Sequence, residues 1–283
     1  MDVSNHIISG KTRFIAHIGF PTHSFMAPKI LNPCFKLLNK DLIVVPMACR
    51  ENNLNNLING LKKLDNFFGA LITMPHKKEI VSFLQKKKKI VQSTNTCNIL
   101  KIDNKKKLIG DMTDVKGFDS SIKALDLDIK NKVILLIGAG GIGTSLSHYF
   151  LIEGAKKVRI HDVNKQKSEQ LCNSIRNINS RFNYKIWNYK RNSFDFLINA
   201  SPAGMNNKSP FHLNIIKNSE VVIDFVLSNK KTKLLKIAEK NNSITISGNE
   251  ILINQIPSML KFFGFKKISK SDIFKIKNFI SNN

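Results

Sequence analysis

The sequence predicts an α/β protein of two domains, and three observations carry that expectation. Residues 133–162 follow the order strand, glycine turn, helix, strand, which makes one βαβ unit. Two further alternations of a short apolar run with an amphipathic stretch precede it, between residues 14 and 73. The length, 283 residues, exceeds what one hydrophobic core usually serves. The expected plan is a first α/β domain over residues 1–118, completed by C-terminal helices within 249–283 that fold back on it, and a second over 119–248 built round the glycine turn.

Taken in order, residues 14–19 read as the first strand and 19–24 as the loop at its C-terminal end, where loops of α/β folds carry ligands. Residues 28–38 form a helix with Ile30, Leu31, Phe35 and Leu38 on one face and Pro28 suited to its first turn. A strand at 42–45, an amphipathic helix at 52–64 and a third strand at 69–73 complete two crossovers. A helix is expected at 78–84, then a hairpin of 96–102 with 107–110 about Asp103-Asn104. A connecting helix over 115–127 leads through 128–131 into the glycine-turn unit.

In that unit Val133-Ile134-Leu135-Leu136-Ile137 is an unbroken run of β-branched and leucine residues, the mark of a strand buried on both faces of a parallel sheet. It ends in Gly138-Ala139-Gly140-Gly141-Ile142-Gly143, a G-x-G-x-x-G pattern, after which Leu146, Tyr149, Phe150 and Ile152 recur at helical spacing. Residues 157–160 form the next strand and deliver Asp162 about 20 residues past the turn, where a carboxylate accepts from ribose hydroxyls. A Cβ at Gly138 or Gly140 would hold the backbone off a pyrophosphate, which the N–H groups of the helix start otherwise bind. The glycines alone would equally describe a tight turn. With strand, helix and acidic residue in sequence they read as a Rossmann-type dinucleotide site. Beyond it come a helix at 165–178, strands near 184–187 and 194–198, and the loop Asn199-Ala200-Ser201-Pro202-Ala203-Gly204-Met205. The small residues of that loop, Ala200, Ser201 and Gly204 with Met205, are expected against the nicotinamide half. Strand, helix and strand follow at 221–224, 234–240 and 243–246, and the last helices are expected at 250–263 and 270–280.

Composition narrows the function classes. Lys+Arg number 45 against 20 Asp+Glu, a formal charge of +25. Such an excess suits nucleic acid or an anionic membrane surface. Only six of the cations are arginine, however, and the lysines run from end to end, so a solvated lysine-rich surface is the reading taken. No nucleic-acid or membrane partner is expected. No apolar run approaches a bilayer span and residues 1–11 have no apolar core of a signal peptide, so a cytoplasmic protein, monomeric or homodimeric, is expected. Cys34, Cys49, Cys97 and Cys172 are scattered without C-x-x-C spacing and read as reduced, buried thiols; no metal site is indicated.

The loops taken together resemble the shikimate dehydrogenase family over nearly the whole chain. The family's H-S-x-S-P loop is matched by His23-Ser24-Phe25-Met26-Ala27-Pro28, its T-x-P-x-K loop by Thr73-Met74-Pro75-His76-Lys77, and its G-D-x-T-D turn by Gly110-Asp111-Met112-Thr113-Asp114. Its N-A-T-P-x-G-M loop beside nicotinamide is similar to residues 199–205. The resemblance implies an oxidoreductase of aromatic amino acid biosynthesis that moves a hydride between NAD(P) and shikimate or 3-dehydroshikimate. It implies a substrate site of Ser24, Thr73, an asparagine before the G-D-x-T-D turn (Asn95 or Asn98, the hairpin count favouring Asn98) and Gln255. Two positions depart from the family: its second serine is Met26, and its substrate-binding tyrosine is Leu227. Each removes a hydroxyl from the expected pocket, so quinate or another hydroxy acid stands as an alternative substrate. NADP-using members resemble N-R-T where this chain has His161-Asp162-Val163; with Asp162 in the arginine's place, NAD is the expected cofactor.

The chemistry asks for a group to take the hydroxyl proton, which a nicotinamide cannot accept. Lys77 and Asp114, each just past a strand end, are the candidates, acting as one coupled unit. Taken singly, Lys77 reads as a solvated helix start and Asp114 as an N-cap; the matched motifs are what favour catalysis. His23 and His76 have no nucleophile to serve and are expected in surface or structural roles. A catalytically weakened NAD-binding redox reporter and a basic nucleic-acid-binding module are the readings from other classes.

Overall fold

The structure is a computed structural model and describes residues 8–189, 193–205, 213–228, 230–265, 269, 271–272 and 274–275. The chain divides into two compact units, one of residues 1–113 with 255–283 and one of residues 114–254.

The first unit holds a six-stranded mixed sheet, order β2-β1-β3-β5-β6-β4. Its elements are β1 (Arg13–Gly19), α1 (Ala27–Leu37), β2 (Leu42–Ala48), α2 (Leu54–Leu61), β3 (Phe67–Ile72), β4 (Lys86–Lys87), α3 (Lys89–Thr94), β5 (Ile99–Ile102) and β6 (Leu108–Asp111). β1 pairs in parallel with both β2 and β3, so the two expected crossovers are present, and β5 with β6 forms the expected hairpin. β2 runs on through Pro46 because it is an edge strand, where a missing N–H breaks no ladder. Two expectations are corrected. Residues 79–83 form a 3-10 turn rather than an α-helix. The helix expected from residue 52 begins as a 3-10 turn at Glu51–Asn53, and its α-helical part ends at Leu61.

The second unit comprises α4 (Asp114–Lys123), β7 (Val133–Ile137), α5 (Gly141–Ile152), β8 (Lys157–His161), α6 (Lys165–Ile178), β9 (Tyr184–Ile186), β10 (Phe194–Asn199), α7 (Leu213–Lys217), β11 (Ser219–Asp224), α8 (Lys233–Lys240) and β12 (Ile244–Ser247). Its sheet has the order β12-β11-β10-β7-β8-β9 and is parallel throughout, the doubly wound arrangement in which ligands bind beyond the carboxyl ends of the strands at the reversal beside β7. β7 is buried at every position, as its unbroken apolar run requires. α4 belongs to this unit because Phe118 packs edge-on against Tyr149 and Phe150 of α5.

A final helix, α9 (Gly248–Phe263), starts in the second unit and ends in the first, where Phe263 lies over Phe68, and Phe265 over Phe35 and Phe68. The last expected helix, residues 270–280, falls largely outside the described residues. All four cysteines are free and buried; burial pushes the Cys34 thiol up to about 12 and that of Cys172 up to about 11. No helix among the described residues is long and apolar enough to cross a membrane.

Candidate active site

In the first unit the loops after β1 and β3 are joined by backbone bonds. Phe20 N donates to the carbonyl of Met74 (2.9 Å) and Thr73 N to that of Ile18 (2.9 Å), which places Thr73 beside Gly19. His76 is fully buried with its Nε2 2.8 Å from the Cys49 carbonyl, a structural tie, while His23 is exposed. Lys77 is half-buried, and its carbonyl accepts from Cys97 N at 2.8 Å. Ser24 and Met26 are half-buried, and Met26 stands at the N-cap of α1, where it supplies no side-chain cap.

The buried polar centre of this unit lies at the end of β6. Asn98 Oδ1 accepts from Thr113 N (2.7 Å) and from Thr113 Oγ1 (3.2 Å), and that hydroxyl in turn accepts from Gln255 Nε2 (2.7 Å). Thr113 is 0 %, Gln255 2 % and Asn98 4 % exposed, so two amides from distant parts of the chain are fixed on one threonine. Asn95, the other asparagine considered, is exposed and caps α3 in the left-handed region, φ 49°. Thr113 was visible in the sequence only as a motif letter; nothing local marks it as the hub.

A second feature has no sequence signal at all. His17, on the central strand β1, is 6 % exposed and stacks on Phe25 with ring centroids 3.9 Å apart. Its Nδ1 has no hydrogen-bond partner among the described residues. Burial, and secondarily the charge of Lys77, lowers its pKa from 6.5 to about 3, so the ring is neutral.

In the second unit the glycine turn is held from both sides. Gly138 N donates to the His161 carbonyl (2.7 Å), Ala200 N to the Ile137 carbonyl (2.7 Å), and Ala139 N to Asp162 Oδ2 (2.7 Å). Gly138 has φ +102°, a conformation closed to L side chains, and any Cβ there would meet the backbone of Ala200 and Ser201 at 2.9 Å. At Gly140, the N-cap of α5, a Cβ would meet nothing within 4 Å. The chain's own packing therefore does not demand glycine there, whereas a phosphate on the helix N-terminus does. Gly141 and Ile142 open the helix half-buried, and Gly143 is buried. These residues fit the pyrophosphate of a dinucleotide.

Asp162 stands one residue past β8. Its second oxygen accepts from Asn164 N at 2.9 Å, which still leaves lone pairs for a ribose hydroxyl. Val163, the next residue, is uncharged and 99 % exposed. Lys165 pairs with Glu169 at 3.7 Å.

The loop after β10 is built on two buried polar residues. Asn199 Nδ2 donates to Asp224 Oδ1 (3.0 Å) and to the Ala203 carbonyl (2.8 Å), while its Oδ1 accepts from Ser201 N (3.2 Å) and Oγ (2.7 Å). Asp224 also accepts from Thr232 Oγ1 (2.7 Å) and Val226 N (3.1 Å). Burial raises its pKa, against which these bonds work. Gly204 takes φ +103° and Met205 is half exposed at the loop's end. Leu227 and Asp114 both belong to this unit; Leu227 is half-buried in the turn after β11, and Asp114 opens α4. Among the described residues no cluster of His, Cys, Asp or Glu could hold a metal.

Comparison with known proteins matches residues 18–100 to the shikimate dehydrogenase substrate binding domain. The chain is 33% identical over 260 residues to the shikimate dehydrogenase (NADP(+)) of Methanococcus aeolicus, covering 88% of this chain and 91% of that one. It is 29% identical over 265 residues to that of Alkaliphilus oremlandii, covering 89% and 91%. Among solved structures, a shikimate dehydrogenase in complex with NADP+ superposes with TM-score 0.84 at 27% identity, covering 98% of this chain and 97% of that one.

Proposed function

This chain belongs to the shikimate dehydrogenase family, and from that premise we propose that it interconverts shikimate and 3-dehydroshikimate, or a closely related cyclic hydroxy acid, with NAD as the preferred cofactor. The observation that carries the reading beyond a generic nucleotide-binding fold is the buried pair of amides, Asn98 and Gln255, fixed on Thr113. Preset amide groups suit a polyhydroxy carboxylate, because a ligand lacking the matching hydroxyls would leave them without those bonds. Ser24 and Thr73 add hydroxyls from the loops after β1 and β3.

The bound nicotinamide supplies the hydride acceptor or donor. The turn at Gly138, Ala139, Gly140, Gly141, Ile142 and Gly143 would hold the pyrophosphate, and Ala200, Ser201, Gly204 and Met205 the nicotinamide half. Lys77 and Asp114 act as the proton-transfer pair: as the alcohol is oxidised its hydroxyl proton passes to them, and in the reverse direction they return it to the nascent alkoxide oxygen. His17, buried in the neutral form, adds no charge beside Lys77.

Two supports favour NAD. Asp162 is fixed at the place where ribose hydroxyls are read, and a 2′-phosphate about 4 Å from its carboxylate would be repelled by roughly 1–4 kcal/mol. Lys165 and Lys167 lie close by, but flexible exposed lysines recover only part of this difference, and Lys165 also pairs with Glu169. Met26 and Leu227 also support a pocket with fewer hydroxyl contacts, which favours a less hydroxylated acid as competitor to shikimate.

The deciding experiment is a panel of shikimate, quinate and simpler hydroxy acids, each with NAD and with NADP. We expect turnover of a cyclic hydroxy acid with kcat/KM higher for NAD. Activity only with NADP would remove the role given to Asp162. Binding of NAD without turnover of any member would leave a redox-responsive binder.

A further inference from the structure

Beyond Asp162 the second unit carries an aromatic group that the dinucleotide reading has not used. β9 is the strand beside β8 at the sheet edge, and Trp187 N extends its pairing by donating to the Ile160 carbonyl at 2.8 Å. Two residues later Tyr189 takes φ +63°, a left-handed conformation that bulky residues rarely adopt. That backbone folds the phenol back over the end of β8, where its Oη lies 3.0 Å from His161 Nδ1. Trp187 also lies beside the ring, centroids 4.4 Å apart, and its own indole is edge-on to His161 at 6.2 Å. Tyr189 is therefore fixed by a hydrogen bond and by a buried neighbour, yet it remains 56 % exposed.

Those contacts still leave much of the ring in water on a strained backbone, and strain of this kind collects at ligand sites. The position points to one such site. His161, which anchors Tyr189, immediately precedes Asp162, and its carbonyl accepts from Gly138 N of the glycine turn. The ring thus stands at the carboxyl end of the sheet, on the β8–β9 side of the ribose carboxylate, where a base attached to that ribose would project. A ring already immobilised loses little entropy when a planar group lands on it.

We propose that Tyr189, braced by His161 and Trp187, is a specificity-determining wall for the adenine ring of the cofactor. The proposal rests on the dinucleotide reading above. It also gives the adenosine end two distinct contacts, a phenol for the base and the Asp162 carboxylate for the ribose.

The test is binding of AMP and NAD to the full chain by calorimetry, together with steady-state kinetics, for the wild type, Tyr189→Leu and Tyr189→Phe. Loss of an aromatic stacking partner costs about tenfold in affinity. Tyr189→Leu is expected to weaken AMP and NAD by that same factor and to raise KM for NAD alike, with kcat at saturating NAD within about twofold, since the nicotinamide end is untouched. Tyr189→Phe keeps the stacking face and should stay within about threefold of wild type. Trp187 is the only tryptophan in the chain, so AMP should change the intrinsic fluorescence of the wild type even though it carries no nicotinamide. If the wild type binds NAD but Tyr189→Leu binds AMP and NAD equally well, the wall is refuted and the dinucleotide site stands. If the wild type binds neither NAD nor NADP, the dinucleotide reading falls and the wall with it.

Discussion

The buried neutral imidazole of His17 makes folding stability depend on pH in a way that can be worked out from its position. In the unfolded chain the ring has its ordinary pKa of 6.5, and in the native state burial and the charge of Lys77 hold it near 3. The folded value is the lower one, so below 6.5 the unfolded state binds a proton that the native state refuses. The stabilisation is complete above that pH and is lost as pH falls through the window down to about 3. Between about pH 7.5 and about pH 5 the loss from this one group amounts to about 2 kcal/mol. His17 is 6 % exposed, so solvent screening discounts it little. The perturbation is His17→Phe, which keeps an aromatic ring to stack on Phe25 and cannot titrate. Urea unfolding followed by circular dichroism, at both pH values and for both proteins, gives a double difference from which the packing cost of phenylalanine and the other titrating groups, buried His148 included, cancel. Wild type should lose about 2 kcal/mol more than the variant on acidification. A double difference under about 0.5 kcal/mol would mean that the native ring takes a proton readily, and the neutral-imidazole argument would fail.

The proton-transfer pair predicts that Lys77→Ala and Asp114→Asn each lower kcat by about 10² or more with NAD affinity little changed; near-normal turnover in either would remove the assignment. The altered pocket predicts that Met26→Ser with Leu227→Tyr raises kcat/KM for shikimate. An unchanged kcat/KM in a folded double variant would place those positions away from substrate. Thr113→Val deletes the hydroxyl that joins Asn98 to Gln255 at nearly constant volume, so unfolding should show about 1–3 kcal/mol of lost stability, most of it returned by Thr113→Ser. A valine variant as stable as wild type would show that the hydroxyl is not the hub.

Where local chemistry and periodicity agreed, the sequence was readable almost to the residue. α6 begins and ends where its pattern says, because Asn164 caps it by accepting from Lys167 N and Leu171, Cys172 and Ile175 repeat on its buried face. The glycine turn was readable for a similar reason, since φ +102° at Gly138 leaves few other residues admissible. Residues 86–94 show the opposite case. Lys86 and Lys87 have no apolar alternation and are exposed, yet they pair with β6 as a two-residue strand through backbone bonds alone, a signal side chains do not carry. α7 and the helical turn at Lys89–Thr94 also went unread, being too short for a periodic face. His17 depends on Lys77, Tyr189 on His161, and Thr113 on Asn98 and Gln255, so a large part of their significance is tertiary and no short window along the chain contains it.

The division of the first unit between the two ends of the chain has a consequence for synthesis. Residues 1–113 leave the ribosome before any of the second unit, but Phe263 and Phe265, which lie over Phe35 and Phe68, emerge only after residues 114–254. At about 5–20 residues per second that interval is roughly 7–30 seconds, during which Phe35, Phe68 and Gly69 of β3 lack their cover. A nascent chain in that state presents an adhesive apolar face, and it is the period in which a chaperone would engage. The second unit, contiguous in sequence, meets no such delay and can reach its native form first.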